Sequence, residues 1–210
     1  MHEQELRVRV GYQEDFSPFA ALGPDGAEGL AVDILTGGFE TLGVEVSWVP
    51  LPLDRQLASL NGREVDLLAC LGITDERQKE VVFGEPIIQT GGAIFRLLET
   101  PTKPVRIVTP SAGPLVTATK NSFPECSVVT VDGYLAALKS VVEGHADAAA
   151  LNVHVGQQVA EREFPEKFDY PSPIFREVFL APAWALEHDD QLREALTSAI
   201  VTNDFSDPNT

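Results

Sequence analysis

Few side chains in this sequence are equipped for chemistry, and their spacing decides which reactions stay open. His2, His145, His154 and His188 are scattered and form no metal motif. Cys70 and Cys126 are the only cysteines. Two cysteines make neither a disulfide framework nor a metal-ligand pattern, and a single bridge stays open because sequence spacing does not set a Cα separation. Acid–base work would fall to Glu85 or His154, and neither has a partner in the sequence that marks a catalytic pair. A Ser-His-Asp set, a P-loop and a dinucleotide fingerprint are all missing. Ser111 and Gly113 precede a segment that reads as a helix. Backbone N–H groups at a helix start bind anions readily, and the plainer role there is an ordinary N-cap. These residues point to binding rather than catalysis, with no cofactor.

The elements that must hold such a site follow from composition and pattern. A chain of 210 residues, 44% of them hydrophobic, can bury one or two cores. Charged residues make up 22%, an ordinary globular share. No apolar run reaches the roughly 18 residues that a membrane span needs. With 32 acidic against 15 basic residues the formal charge is −17, which disfavours nucleic acid because a phosphate backbone selects a basic footprint. Its plain meaning is solubility. Met1-His2-Glu3-Gln4-Glu5 is polar and acidic, with no apolar leader segment. That fits either a cytoplasmic protein or a mature chain carrying a start Met, and two cysteines do not decide between them.

Strand-like and helix-like segments alternate. Leu6–Gly11, Val44–Val49 and the apolar Val65–Cys70 read as strands. Between them, Leu30–Leu42 reads as a helix, and a short helix around Leu57–Leu60 ends at Asn61-Gly62. Gly37-Gly38 weakens the longer helix, so the pair either permits close packing or makes the helix irregular. This β-α-β-α-β order predicts an α/β domain with a mostly parallel sheet. After a polar stretch, Leu97–Lys103, the pattern restarts. Strands are read at Val105–Val108, Ser127–Val131 and Ala146–Leu151, and helices at Pro114–Asn121, Tyr134–Val142 and about Asp190–Ile200. Leu57–Leu68 and Leu138–Ala149 share one logic: a helix, a Gly stop, then an Asp at the entrance of an apolar strand. That echo suggests two similar lobes, and open α/β sheets bind ligands beyond the carboxyl ends of their strands.

Five motifs then stand in order: Phe16-Ser17-Pro18-Phe19, Gly29-Leu30-Ala31-Val32-Asp33-Ile34, Gly62-Arg63-Glu64-Val65-Asp66, Thr74-Asp75-Glu76-Arg77 and Val82-Phe83-Gly84-Glu85-Pro86. In this register the chain resembles the family 3 bacterial solute-binding proteins, the polar amino-acid receptors of ABC uptake systems. The resemblance is strongest over residues 6 to 96 and continues through Gly144-His145-Ala146-Asp147-Ala148 to about Leu196. It implies a type II periplasmic-binding fold: two Rossmann-like α/β lobes joined by a two-crossover hinge, with the ligand cleft between them. Lobe 1 would take 1–90 plus 179–210, and lobe 2 would take 91–178, with Gly91-Gly92 suited to the first crossover and Phe175–Phe179 near the second. The polar stretch at Pro101 then becomes a loop of lobe 2.

The resemblance also implies a site. Arg77 would grip a ligand carboxylate, for which a guanidinium fork is matched in shape and charge; the alternative is a surface Arg paired to Asp75 or Glu76. Phe16 would cover the ligand, or else be a core residue beside Phe19. Three departures from the family matter. Asn152 stands where an Asp usually holds the ligand ammonium, and an amide brings no charge. Leu53 stands where a second aromatic is common. The stretch from Asp66 to Thr74 is one residue short of the usual spacing, so Ala69-Cys70-Leu71-Gly72-Ile73 replaces the familiar Gly/Thr edge. In that register Cys70, Leu71 and Gly72 are ligand-binding candidates, and the alternative for Cys70 is a small buried hydrophobe. With Ser111, Gly113 and Asn152 they complete the expected site. The expected function is an extracytoplasmic, monomeric binding protein that passes a small polar, carboxylate-bearing solute to the membrane subunits of an ABC importer. A ligand-sensing module is the alternative, and a dehydratase-like enzyme on the same fold is less favoured.

Overall fold

The computed structural model describes residues 7–98, 103–187 and 190–202. His2, His188, the tail from 203 and part of the polar stretch at Pro101 lie outside them. The chain divides into two compact units, Met1–Ile88 with Leu180–Thr210, and Gln89–Phe179.

The elements begin with β1 (Arg7–Gln13), β2 (Asp15–Phe16), β3 (Ala20–Gly23), β4 (Gly26–Glu28), α1 (Leu30–Leu42), β5 (Glu45–Leu51), α2 (Gln56–Asn61), β6 (Leu67–Gly72) and β7 (Val81–Phe83). They continue with β8 (Ile88–Phe95), β9 (Arg106–Pro110), α3 (Leu115–Ser122), β10 (Ser127–Val131), α4 (Gly133–Val142), β11 (Ala148–Asn152), α5 (Val153–Glu163), β12 (Ile174–Ala185) and α6 (Asp190–Thr202). Both unit boundaries fall inside strands, β8 and β12.

In the first unit β1 runs parallel to both β5 and β6, and β12 is antiparallel to β6 and β7. Leu51, Leu60, Val65, Leu68, Leu71, Val81 and Ala183 form one of its cores. Helix α1 buries Ala31, Val32, Ile34, Leu35, Gly38 and Phe39 on one face. The doubt over its glycines resolves at Gly38, where a Cβ would come within 2.9 Å of Leu196 and 3.2 Å of Ile200 on α6. That glycine lets two helices approach closely.

In the second unit β9 is parallel to β10 and β11, and β11 is antiparallel to β8. Alternate residues feed opposite faces, as the two-residue period of a strand requires. Ala93, Phe95, Val108, Ala149 and Leu151 enter one core, with Ala137, Leu138 and Val141 of α4. Ile94, Ile107, Ala148 and Ala150 enter the other, beside Phe123, Cys126 and Phe175. Burial on both faces explains why β11 reads as an apolar run.

The repeated helix–Gly–Asp–strand logic has a hydrogen-bonding basis. The Asp66 carboxylate accepts from the Arg9 backbone N–H at 2.8 Å, and the Asp66 N–H returns to the Arg9 carbonyl at 2.8 Å. In the second unit the Asp147 carboxylate accepts from the backbone N–H groups of Val105 and Arg106 at 2.9 and 2.8 Å, and the Asp147 N–H donates to the Arg106 carbonyl at 3.0 Å. In each unit an Asp staples an incoming strand to its neighbour. It also delays the strand: β6 starts at Leu67 and β11 at Ala148, two residues later than the sequence pattern implies.

Seven elements escape the sequence reading: the short strands β2, β3, β4 and β7, and the longer β8, β12 and α5. Glycine or proline interrupts each of the three longer ones. In β8 a Cβ on Gly91 would lie 2.5 Å from the Arg176 carbonyl, and one on Gly92 would lie 2.8 Å from both Leu115 and the Phe175 ring. Close packing therefore requires this glycine pair. In β12 the register with β6 shifts between Ala181 and Ala183, around Pro182, the bulge position where a strand tolerates proline. In α5 the interruption is Gly156, whose Cβ would sit 2.6 Å from the Phe95 ring.

Candidate functional site

Arg77 is held by the turn that precedes it. The Thr74 hydroxyl, buried, accepts the Arg77 N–H at 3.2 Å, and the Thr74 carbonyl accepts the Gln78 N–H at 2.9 Å. Thr74 thus closes the turn that leads into the 3-10 turn Arg77–Lys79, which is the physical reason for the Thr-x-x-Arg spacing. The guanidinium folds back onto the end of β6, where Nη1 donates to the Gly72 carbonyl at 2.9 Å. It is half-buried, and among the described residues it makes no ion pair with a carboxylate. The surface pairing to Asp75 or Glu76 is therefore not what the structure shows. Burial lowers the pKa of Arg77 and the nearby Glu80 opposes that shift, but a guanidinium stays charged regardless. One donor is committed to Gly72, and the rest of the fork has no carboxylate.

The edge that leads to Arg77 is closed. All of β6 is buried; Cys70 is 5% and Leu71 2% exposed. Leu71 belongs to the core, so its side chain is committed inward. Burial pushes the Cys70 thiol up to about 12, which leaves it protonated and inert. That is the behaviour of a small buried hydrophobe. Cys70 and Cys126 are both free thiols, and Cys126 donates to the Pro104 carbonyl at 3.1 Å. What this edge has left to offer a ligand is backbone, at Gly72.

Phe16 lies on β2, half-buried, its ring 5.1 Å from that of Phe19 at 60°. Phe19, at 3% exposed, is the core member of the pair. Two of the motifs meet here. The N–H groups of Leu30 and Ala31 donate to the Pro18 and Phe19 carbonyls at 3.0 and 2.9 Å. Gly29 has φ 119°, and a Cβ there would strike the Phe19 backbone at 2.7 Å, so only glycine serves at that position. Leu53 is half-buried in a 3-10 turn, Leu53–Arg55.

In the second unit Ser111 and Gly113 are exposed on the loop between β9 and α3. The Ser111 N–H donates to the Val131 carbonyl at 2.9 Å, which removes it as an anion donor. Gly113 has φ 90°, and α3 starts after Pro114 with no side-chain cap. Ser111 is therefore not the N-cap of α3.

Asn152 ends β11 and caps α5. Its Oδ1 accepts from the backbone N–H groups of His154 and Val155 at 3.1 and 3.2 Å, and from the Thr90 hydroxyl at 3.2 Å. Asn152 and Thr90 are each 6% exposed. Because a backbone N–H requires an acceptor, the oxygen must be the atom facing α5. The amide nitrogen is the polar atom that remains, and an amide nitrogen only donates. Thr90 also lies 2.8 Å from His154 Nδ1. Thr90 was missed in the sequence, and so was the N-cap role of Asn152, although Asn before an apolar-periodic segment is a signal that could have found it.

The other candidates take other roles. Glu85 is exposed and lines a small pocket of the first unit with Trp184 and Ile200. A pocket of about 230 Å³ in the second unit is walled by Phe164, Phe168, Glu161, Glu166 and Asp169. None of the eight residues expected to bind ligand lines either one. Among the described residues no group of three or more His, Cys, Asp or Glu side chains could hold a metal ion, and no helix is long and apolar enough to cross a membrane.

Comparison with known proteins agrees with this frame. The model of bacterial extracellular solute-binding proteins, family 3, matches residues 8–204. The lysine/arginine/ornithine-binding periplasmic protein of Escherichia coli (strain K12) is 25% identical over 99 residues, 46% of this chain and 38% of that protein. Holo ArgBP from T. maritima superposes with a TM-score of 0.78 at 23% identity, covering 93% of this chain and 89% of that one. The BvgS periplasmic VFT2 domain of Bordetella pertussis gives 0.80 at 19% identity, over 95% and 88% of the two chains. A histidine kinase sensor domain similar to periplasmic binding proteins gives 0.80 at 16%, over 93% and 89%. The shared feature is the type II periplasmic-binding, or Venus flytrap, fold.

Proposed function

Because this chain belongs to the bacterial extracellular solute-binding proteins, family 3, we propose that it captures a small carboxylate-bearing solute outside the cytoplasm and delivers it to an ABC importer. The observation that carries this reading is Arg77: a half-buried guanidinium, tethered to Gly72, with no carboxylate of the protein on its fork among the described residues. A bidentate carboxylate is the ligand group that matches it. Phe16 would supply an apolar wall. Asn152 would meet another part of the ligand, and its chemistry narrows the choice. With Oδ1 taken by three donors, Asn152 offers N–H and no charge. An ammonium there would find a donor facing it, and burying it unpaired costs several kcal/mol. The ligand is therefore an acid with an acceptor at that position, not an ordinary α-amino acid. The family is one of binding proteins, and no residue of this site is assigned a chemical step. The protein acts as a monomer.

A thermal-shift panel of α-amino acids against their N-acylated, 2-hydroxy and 2-oxo counterparts tests the reading. A binder at 100 times its Kd adds about 2.7 kcal/mol to stability. Acids without an ammonium should shift the melting temperature. Tight binding of an unmodified amino acid, with none of the others, would sink the proposal. Ligand sensing is the second reading, supported by the sensor domains that share this fold. Ligand-stimulated ATP hydrolysis by a reconstituted importer separates the two roles.

A further inference from the structure

The contacts of Thr90 fix the protonation of its neighbours. Thr90 Oγ1 lies 3.2 Å from Asn152 Oδ1 and 2.8 Å from His154 Nδ1. Asn152 Oδ1 is an oxygen by necessity, since it accepts from the backbone N–H groups of His154 and Val155. A hydroxyl carries a single proton. If Thr90 gave that proton to His154, two bare acceptor oxygens would face each other at 3.2 Å in a buried position. A mismatch of that kind is what buried polar networks avoid. The arrangement that satisfies both of these Thr90 contacts runs the other way. His154 Nδ1–H donates to Thr90, and Thr90 donates to Asn152.

We infer that Thr90 and His154 are positioning residues for Asn152, and that neutral His154 is held as the Nδ1–H tautomer. The chain of donors His154 Nδ1–H, Thr90 Oγ1–H, Asn152 Oδ1 ends on the amide whose other atom is left for a ligand. Which nitrogen of a histidine carries the proton follows from the hydrogen bond it makes, and successive donors polarise one another. The relay makes Asn152 a more committed donor and so sets which ligand end is accepted. This last consequence rests on the proposed role of Asn152 in binding; the tautomer does not.

The test is nitrogen NMR on ¹⁵N-histidine-labelled, ligand-free protein at about pH 9, where imidazoles are neutral. Long-range correlations should show His154 with a protonated Nδ1 and an Nε2 that carries no proton. Thr90→Ser should keep that pattern, and Thr90→Val should lose it and shift the Asn152 side-chain amide signals. An Nε2–H tautomer in the parent protein would overturn the inference, whatever the variants do. So would an Nδ1–H tautomer or an Asn152 amide that ignores Thr90→Val while the backbone spectrum shows the variant folded. If Thr90→Val does not fold, the parent tautomer and Thr90→Ser decide. A failed ligand screen would leave these readings standing, so the two proposals fail separately.

Discussion

At the scale of the residue, Arg77 and Asp147 make opposite uses of charge. Arg77 is positioned by Thr74 and Gly72 and keeps its fork clear of protein carboxylates. Arg77→Ala should weaken binding of a carboxylate ligand at least 100-fold, about 2.7 kcal/mol, in isothermal titration. Arg77→Lys should recover little, because a point charge does not reproduce the fork. Unchanged affinity would remove Arg77 from the site. Asp147 spends its charge on structure. Backbone N–H groups of Arg106 and Val105 lower its pKa from 3.8. A depressed carboxylate contributes stability above its unfolded value and loses it as pH falls through the folded one. Asp147→Ala should therefore cost about 1–3 kcal/mol at neutral pH, and the gap in urea denaturation should narrow below about pH 4. The Asp at each strand entrance was visible in the sequence. The reason for it was not, because its partners are 41 and 42 residues away for Asp147 and 57 for Asp66.

At the scale of the element, packing overrides local preference. Helix propensity favours alanine over glycine by about 1 kcal/mol, so Gly156→Ala in the middle of α5 ought to stabilise the protein. The new Cβ would instead press on the Phe95 ring at 2.6 and 2.8 Å, and Phe95 is 0% exposed with no room to yield. Overpacking of that kind costs about 1–3 kcal/mol. The substitution should lower the melting temperature; a rise would show that the ring relocates cheaply. The strands and helices with clean periods, β1, α1, β5, α4 and β10, could be read directly from the sequence. Among those that could not, the longer ones are β8, β12 and α5, where glycine or proline serves a contact made by a distant segment.

At the scale of the whole molecule, the charge of −17 matters to any anionic ligand. A net negative field repels an approaching acid, and salt screens that field over about 8–10 Å. The association rate of a carboxylate ligand in stopped flow should therefore rise between about 10 and 150 mM salt. A fall would mean that the local field of Arg77 outweighs the rest of the surface. The alternation of apolar runs and the Gly stops were enough to read an α/β fold, and the resemblance carried by five motifs in register supplied the solute-binding family. These features depend on neighbours in sequence, on caps, turns and two- or four-residue periods. The chemistry of the site depends on contacts across the fold. That Cys70 is inert, that Leu71 turns into the core, and that Asn152 can only donate are matters of burial and of partners as far as 62 residues away. Composition cannot encode such facts, because a side chain's charge state and free donors are set by whatever the folded chain brings against it.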